Sequence, residues 1–246
     1  MKILLNGLQA GNRSGTGRYT VELARRLAAK EDVELRLACP RDLAAPEGVG
    51  NGALSRHSAG ALSRLAYDQA GIRREARRWA ADLVHFPANI GPIATMRNAV
   101  LTIHDLSFYR DPSWFKMSRA LYYRTAVGQS AHSAARIIAD SRATADDVHA
   151  YLGIPNTSID VAPLGVDEHF SRADDDAIVK VIERYKLPTP FFLFVGTVEP
   201  RKNVAQLICA WDKVARELDH GLVIAGRDGW KTAVVDAAIG GVSQSE

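Results

Sequence analysis

The chain has 246 residues, 47% of them apolar and 24% charged, the composition of a soluble globular protein with a sizeable core in one large or two modest domains. Its 31 basic and 28 acidic residues leave a formal charge of +3, too balanced to mark a nucleic-acid binder, while an anionic ligand or membrane surface stays open. The two cysteines, Cys39 and Cys209, are far apart and form no CxxC pair, which argues against a disulfide framework and a structural zinc site and fits a reducing cytoplasm.

In chain order, strands alternate with helices. KILLN (2–6) is a short apolar run, too short for the apolar region of a signal peptide, and no later stretch approaches the ~20 apolar residues of a membrane span. The protein is therefore expected to be cytoplasmic. The loop GLQAGNRSGTG follows, then a helix marked by Leu23, Ala24, Leu27 and Ala28 at helical spacing. VELRLAC (33–39) reads as a second strand, with a loop rich in Gly, Ala and Pro to about residue 58. A helix over about 61–80 precedes the strands LVHF (83–86) and AVLTI (99–103). Residues 118–134 favour helix and RIIAD (136–140) strand; Ser141 suits the N-cap of a helix ending at Gly153, and SIDVAP (158–163) closes the series. This pattern predicts right-handed crossovers and a doubly wound, largely parallel sheet over residues 1–170. The polar SRADDDA (171–177) and the prolines of LPTP (187–190) suggest a change of domain, and residues 171–246 start a second Rossmann-like unit: strand FFLFV, a helix from Val204 to Leu218 with Asn203 as its cap, strand GLVIAG (221–226) and a final helix. Two strands are fewer than a doubly wound sheet ordinarily has, so this second domain is expected to be incomplete.

Ligands of open parallel sheets sit beyond the carboxyl ends of the strands, and three candidate sites lie there. GTGRYT (15–20) is not a dinucleotide fingerprint, because Thr20 stands where a small residue is needed and the second strand ends in Cys39 without an acidic residue; nor does it match a P-loop. What remains is a glycine pair, Gly15 and Gly17, at a helix start, either a tight turn or a place where backbone meets a phosphate or sugar hydroxyl. His104 and Asp105 follow AVLTI; such a histidine either donates a hydrogen bond or acts as a base in a cleft, or is only structural, and His85 is a weaker case of the same kind. In FFLFVGTVEPRKN (191–203), Gly196 ends an apolar strand, and Arg201 and Lys202 add two charges before a helix N-terminus, a combination suited to a diphosphate. Arg73, Arg74, Arg77 and Arg78, interleaved with Ile72, Ala76 and Trp79, form either a solvated helix face or a peripheral membrane contact.

With these elements in order, SGTGRYT, TIHDLSF, IIADSRATADDV, VAPLGVD (161–167) and FLFVGTVEPRKN, the chain resembles the family-4 (group 1) retaining glycosyltransferases of GT-B architecture. The resemblance implies an acceptor-side N-terminal domain and a C-terminal domain that binds a nucleotide sugar. It implies donor-phosphate contacts from Gly15, Thr16, Gly17, Gly196, Arg201 and Lys202, a catalytic His104 that contacts the transferred sugar, Asp105 and Tyr19 on the acceptor side, and no metal or other cofactor. It further implies transfer of a hexose such as mannose or rhamnose to a glycan or lipid-linked acceptor with retention, as in polysaccharide or lipopolysaccharide synthesis. Placed cations and N–H groups fit that chemistry, because negative charge builds on the departing phosphate as the anomeric bond breaks.

The family's pair of glutamates seven residues apart has no counterpart after Trp230. The chain is thus expected to be truncated within the donor domain, which leaves three readings: a glycosyltransferase or its N-terminal part, an inactive acceptor-binding remnant, or a GT-B nucleotide-sugar epimerase.

Overall fold

The computed structural model describes residues 1–12, 14–58 and 60–242, which form two compact units, Met1–Gly165 and Val166–Glu246. The division falls a few residues before the expected boundary at 170.

Unit 1 is a sheet of seven parallel strands in the order β3-β2-β1-β4-β5-β6-β7. They are β1 Lys2–Asn6, β2 Glu34–Pro40, β3 Leu54–His57, β4 Leu83–Phe86, β5 Met96–Ile103, β6 Ala134–Ala139 and β7 Ile159–Val161. The helices between them are α1 Gly15–Ala28, α2 Ala61–Ala66, α3 Ile72–Trp79, α4 Ser107–Arg110, α5 Met117–Ser133 and α6 Arg142–Leu152. The expected helix over 61–80 is divided by a π-helical turn at Tyr67–Gly71. The loop expected up to residue 58 is corrected at its end: Leu54–His57 pairs in parallel with Leu37–Pro40 and makes the edge strand.

Successive strand side chains face opposite ways, and the sheet is covered on both faces. In β1, Leu4 joins one buried cluster with Val84, Phe86, Leu101 and Ile137, whereas Ile3 and Leu5 join a second with Ala24, Leu35 and Leu37. Each fully buried side chain of this size contributes roughly 1.5–3 kcal/mol of transfer free energy. Strand order reverses between β1 and β4, so the crevice beyond their carboxyl ends is the place this topology reserves for a ligand.

Unit 2 repeats the beginning of the same pattern. It holds α7 Asp175–Tyr185, β8 Phe191–Val195, α8 Val204–Val214, β9 Gly221–Ala225 and α9 Ala233–Gly240, with β8 and β9 parallel neighbours. The polar stretch expected as linker folds into α7, whose N-cap Asp174 accepts from the Ala177 amide at 2.7 Å. Asn203 occupies the N-cap position of α8, but in the left-handed region at φ 52°, and its side chain caps nothing. Among the described residues no helix is long and apolar enough to cross a membrane.

Candidate functional site

At the carboxyl edge of unit 1, His104 follows β5 and Asp140 follows β6. The β5–β6 register pairs Ile103 with Ala139, so the next residue on each strand stands level with the other. His104 Nδ1 lies 2.6 Å from Asp140 Oδ2, and Nε2 lies 2.9 Å from the carbonyl of Pro87, just beyond β4. The His104 amide donates to Asn89 Oδ1 at 2.7 Å, and the Thr144 hydroxyl donates to the His104 carbonyl at 3.2 Å. Burial alone would lower the His104 pKa, but the hydrogen bond to Asp140 and its charge, helped by the Pro87 carbonyl and Asp105, outweigh it and raise the pKa above its ordinary value.

Tyr19, from α1, sets its ring edge-on to His104, with centroids 4.9 Å apart. Its hydroxyl turns inward to Thr102 Oγ1 at 3.2 Å, and Thr102 in turn is 2.8 Å from His85 Nε2. Burial, aided by the nearby His104, holds His85 down to about 4, so at neutral pH this ring is uncharged. A chain in which Tyr19 donates to Thr102, and Thr102 to His85, then satisfies all three groups. Asp105 Oδ1 braces the start of α4, accepting from the Ser107 amide at 3.0 Å and its hydroxyl at 2.6 Å.

The glycine loop resolves into two different residues. A Cβ on Gly17 would stand 2.1 Å from the Asn12 carbonyl oxygen and 2.4 Å from Asn12 Oδ1, so glycine is needed there for the loop to close on Asn12. Asn12 Oδ1 accepts from the amides of Ser14 and Gly17. Gly15 is exposed, with nothing within 4 Å of where its Cβ would be, and is the position left open to a ligand. Thr16, half-buried between them, accepts the Thr20 hydroxyl on its carbonyl at 2.8 Å.

In unit 2 the loops after β8 and β9 run side by side, joined by a parallel bridge between Val198 and Asp228 and by the Gly229 amide donating to the Val198 carbonyl. A Cβ on Gly226 would come within 1.9 Å of the Gly196 carbonyl oxygen, which fixes how closely the two loops approach. Glu199 is buried and holds the Arg201 guanidinium at 2.8 Å. Lys202 is exposed, and its ammonium makes no hydrogen bond or ion pair among the described residues. The two cations of the expected diphosphate site are therefore unequal: one is braced by a carboxylate and one projects into solvent.

The basic stretch of α3 is divided as well. Arg73 donates to the carbonyls of Ala94 and Thr95, and with Arg77 and Arg97 it lines a cavity of about 290 Å³. The Trp79 ring packs against the core with Lys2 and Arg36 over it, at 5.6 and 4.5 Å from the ring centroid. As an aromatic anchor for a membrane interface, the alternative to a solvated helix face for this stretch, the ring is already covered.

The family model described as Glycosyltransferase Family 4 matches residues 13–170. The chain belongs to glycosyltransferase family 4. Over 241 residues it is 27% identical to the O-antigen chain mannosyltransferase B of Escherichia coli, covering 90% of this chain and 63% of that protein. Over 160 residues it is 30% identical to the serotype-specific mannosyltransferase WbdA of Escherichia coli, covering 59% of this chain and 20% of that one. The chain thus spans less than two thirds of the length of these curated relatives. In fold it is similar to Anabaena Alr3699/HepE, solved in complex with UDP-glucose, with a TM-score of 0.66 at 18% identity over 100% of this chain and 67% of the other. A glycosyltransferase from Rickettsia africae gives a TM-score of 0.62 at 15% identity, over 96% and 63% of the two chains. The expected architecture, a doubly wound unit followed by part of a second Rossmann-like one, is that of GT-B glycosyltransferases.

In this family-4 chain three residues that sequence reading did not single out as site residues hold the ones it did: Asp140, Asn89 and Asn12. The signal for Asp140 was available, since it ends the strand next to the one that ends in His104. Asn12 and Asn89 act through loop geometry, and nothing in residue spacing announces them.

Proposed function

We propose that the protein this chain represents transfers a hexose from a nucleotide sugar to a glycan or lipid-linked acceptor with retention of anomeric configuration. Mannose is the favoured sugar and rhamnose the alternative. Two observations on relatives support the sugar and donor classes: both curated relatives are named mannosyltransferases, and the Anabaena neighbour was solved with UDP-glucose. The observation that carries the reading is within unit 1, where a family-4 match spans His104, fixed at the carboxyl edge beside the crevice where strand order reverses, and the open Gly15 at the start of α1.

The roles divide by unit. In unit 1, Gly15 and Thr16 offer backbone to a phosphate or to the transferred sugar, while Gly17 keeps the loop closed on Asn12. His104 presents its ring toward the sugar, and Tyr19 and Asp105 shape the acceptor side. In unit 2, Lys202 meets the leaving diphosphate first and Arg201, held by Glu199, adds a fixed charge behind it, with Gly196 at the strand end. Charge developing on the departing phosphate is met by these cations and by backbone amides, so no metal is required.

The test uses the full-length gene product with labelled GDP-mannose, and with other nucleotide hexoses in parallel, followed by NMR of the product. Transfer with the donor's anomeric configuration, undiminished by EDTA, is expected. Lys202→Ala should lower kcat on the order of a hundredfold, the usual effect of removing one charge-stabilising group. Inverted product, loss of activity on chelation, or absence of transfer from every nucleotide hexose would each overturn the corresponding part.

A further inference from the structure

Asp140 has a single protein partner on its buried oxygens. Oδ2 meets His104 Nδ1 at 2.6 Å, while Oδ1 is buried without a hydrogen-bond partner among the described residues. The two side chains are only 14% and 17% exposed. The other ring nitrogen faces the Pro87 carbonyl at 2.9 Å, and a carbonyl oxygen can only accept, so Nε2 carries a proton. With Asp140 as a carboxylate, which likewise only accepts, Nδ1 carries one too. A neutral imidazole has one N–H and could satisfy only one of these neighbours.

We propose that Asp140 is a positioning residue that holds the His104 ring as a cation with both nitrogens donating, so that His104 acts as a fixed positive group and not as a proton acceptor. This rests on the glycosyltransferase reading only for its consequence: a ring with no free lone pair cannot take the acceptor's proton during transfer. That leaves the proton to the departing phosphate or solvent. The groups that face the ring are Asp140 just after β6, Tyr19 from α1, His85 from β4 and Asp105 from its own loop. Of these, the two carboxylates favour the cation, and His85 is neutral above about pH 4.

The experiment is a ¹⁵N NMR titration of the histidine rings in this chain, with the His104 signals assigned by their loss in His104→Gln. In the wild type, both His104 nitrogens should be protonated at pH 7, with a titration midpoint above 6.5. Asp140→Asn keeps the shape and removes the charge; the His104 midpoint should fall by at least one unit, with a single N–H left on Nε2 at pH 7. Asp140→Glu should restore the high midpoint, and it keeps the test decisive if the asparagine variant does not fold. A neutral His104 in the wild type at pH 7, or the same midpoint in all three proteins, would overturn the proposal. Because the titration needs no sugar donor, its failure leaves the transferase reading standing. Absence of sugar transfer, conversely, leaves the titration result intact.

Discussion

The two units begin from the same plan, a parallel strand feeding a glycine loop and a helix, and differ in what the plan buries. In unit 1, β4 and β5 lie in the middle of seven strands, and Val84, Phe86, Leu101 and Ile103 are fully shielded. In unit 2 the β8–β9 pair leaves Phe192, Leu193 and Val195 exposed at 47, 57 and 72%, and among the described residues the buried apolar ones are Val198, Val204 and Ile208, at the loop and helix. FFLFV is apolar at every position and LVHF is not, yet LVHF is the better buried, so strand composition does not decide burial; the number of neighbouring strands does. A pair of strands alone is marginal in water, whereas a sheet covered on both faces is not.

Hydrogen exchange probes this contrast with the largest expected effect. The slowest amides should belong to β1, β4 and β5, opening only with global unfolding, while those of β8 and β9 exchange at least ~100-fold faster through local opening. Equal protection in both units would contradict the comparison and would mean that something covers the exposed face of β8 and β9. A mutational version is next in size. Phe86→Ala, at a fully buried site, should cost about 3–5 kcal/mol in denaturant unfolding. Leu193→Ala, at a site 57% exposed, should stay within about 1 kcal/mol of wild type. Comparable losses would show that unit 2 has a core of its own.

Acid should also act through unit 1. His85 is held to about 4 in the folded state against an ordinary 6.5, so its contribution is complete above 6.5 and is lost as pH falls toward 4, when the unfolded chain takes up a proton that the folded one refuses. Between pH 7 and 4.5 this one ring should cost roughly 2–3 kcal/mol. His104 has the opposite sign: its raised pKa adds stability that is full below 6.5 and is lost as pH rises through its folded value. Guanidinium melts at pH 7 and 4.5 for wild type and His85→Gln measure the first effect. An unchanged acid slope in the variant would remove His85 as its source.

The sequence was most legible where apolar runs are bounded by turn residues: Lys2–Asn6, Leu83–Phe86 and Phe191–Val195 are strands at the limits their residues suggested. It failed at Leu54–His57, a four-residue edge strand whose LSRH has no apolar run because one side of an edge is unpaired. It failed again at Asp175–Tyr185, where three aspartates read as linker; one is the N-cap and two sit in the first turn, where negative charge favours a helix. Of the site, His104 and the glycine loop were visible as residues at strand ends. Asp140 was visible only as the end of RIIAD; its pairing with His104 was not, because that depends on a register between strands whose helical crossover separates them in sequence.

The smallest effect separates two helix starts that look alike in sequence. Ser141 and Asn203 are both good N-cap residues directly before an apolar-periodic stretch. Ser141 has extended backbone, and its hydroxyl accepts from the Thr144 amide at 3.1 Å, so Ser141→Ala should cost about 1 kcal/mol. Asn203 instead ends the tight turn Pro200–Lys202 at φ 52° and ψ 38°, and its side chain makes no hydrogen bond to the helix amides. Asparagine is there because it tolerates the left-handed region, which is how Arg201 and Lys202 are delivered to the end of β8. Asn203→Gly should therefore be neutral or stabilising by a few tenths of a kcal/mol, while Asn203→Ala should cost about 1 kcal/mol from backbone strain alone. If glycine proved as damaging as alanine, the side chain would be making a cap after all, and the turn that carries the two cations would have a different origin from the one its backbone indicates.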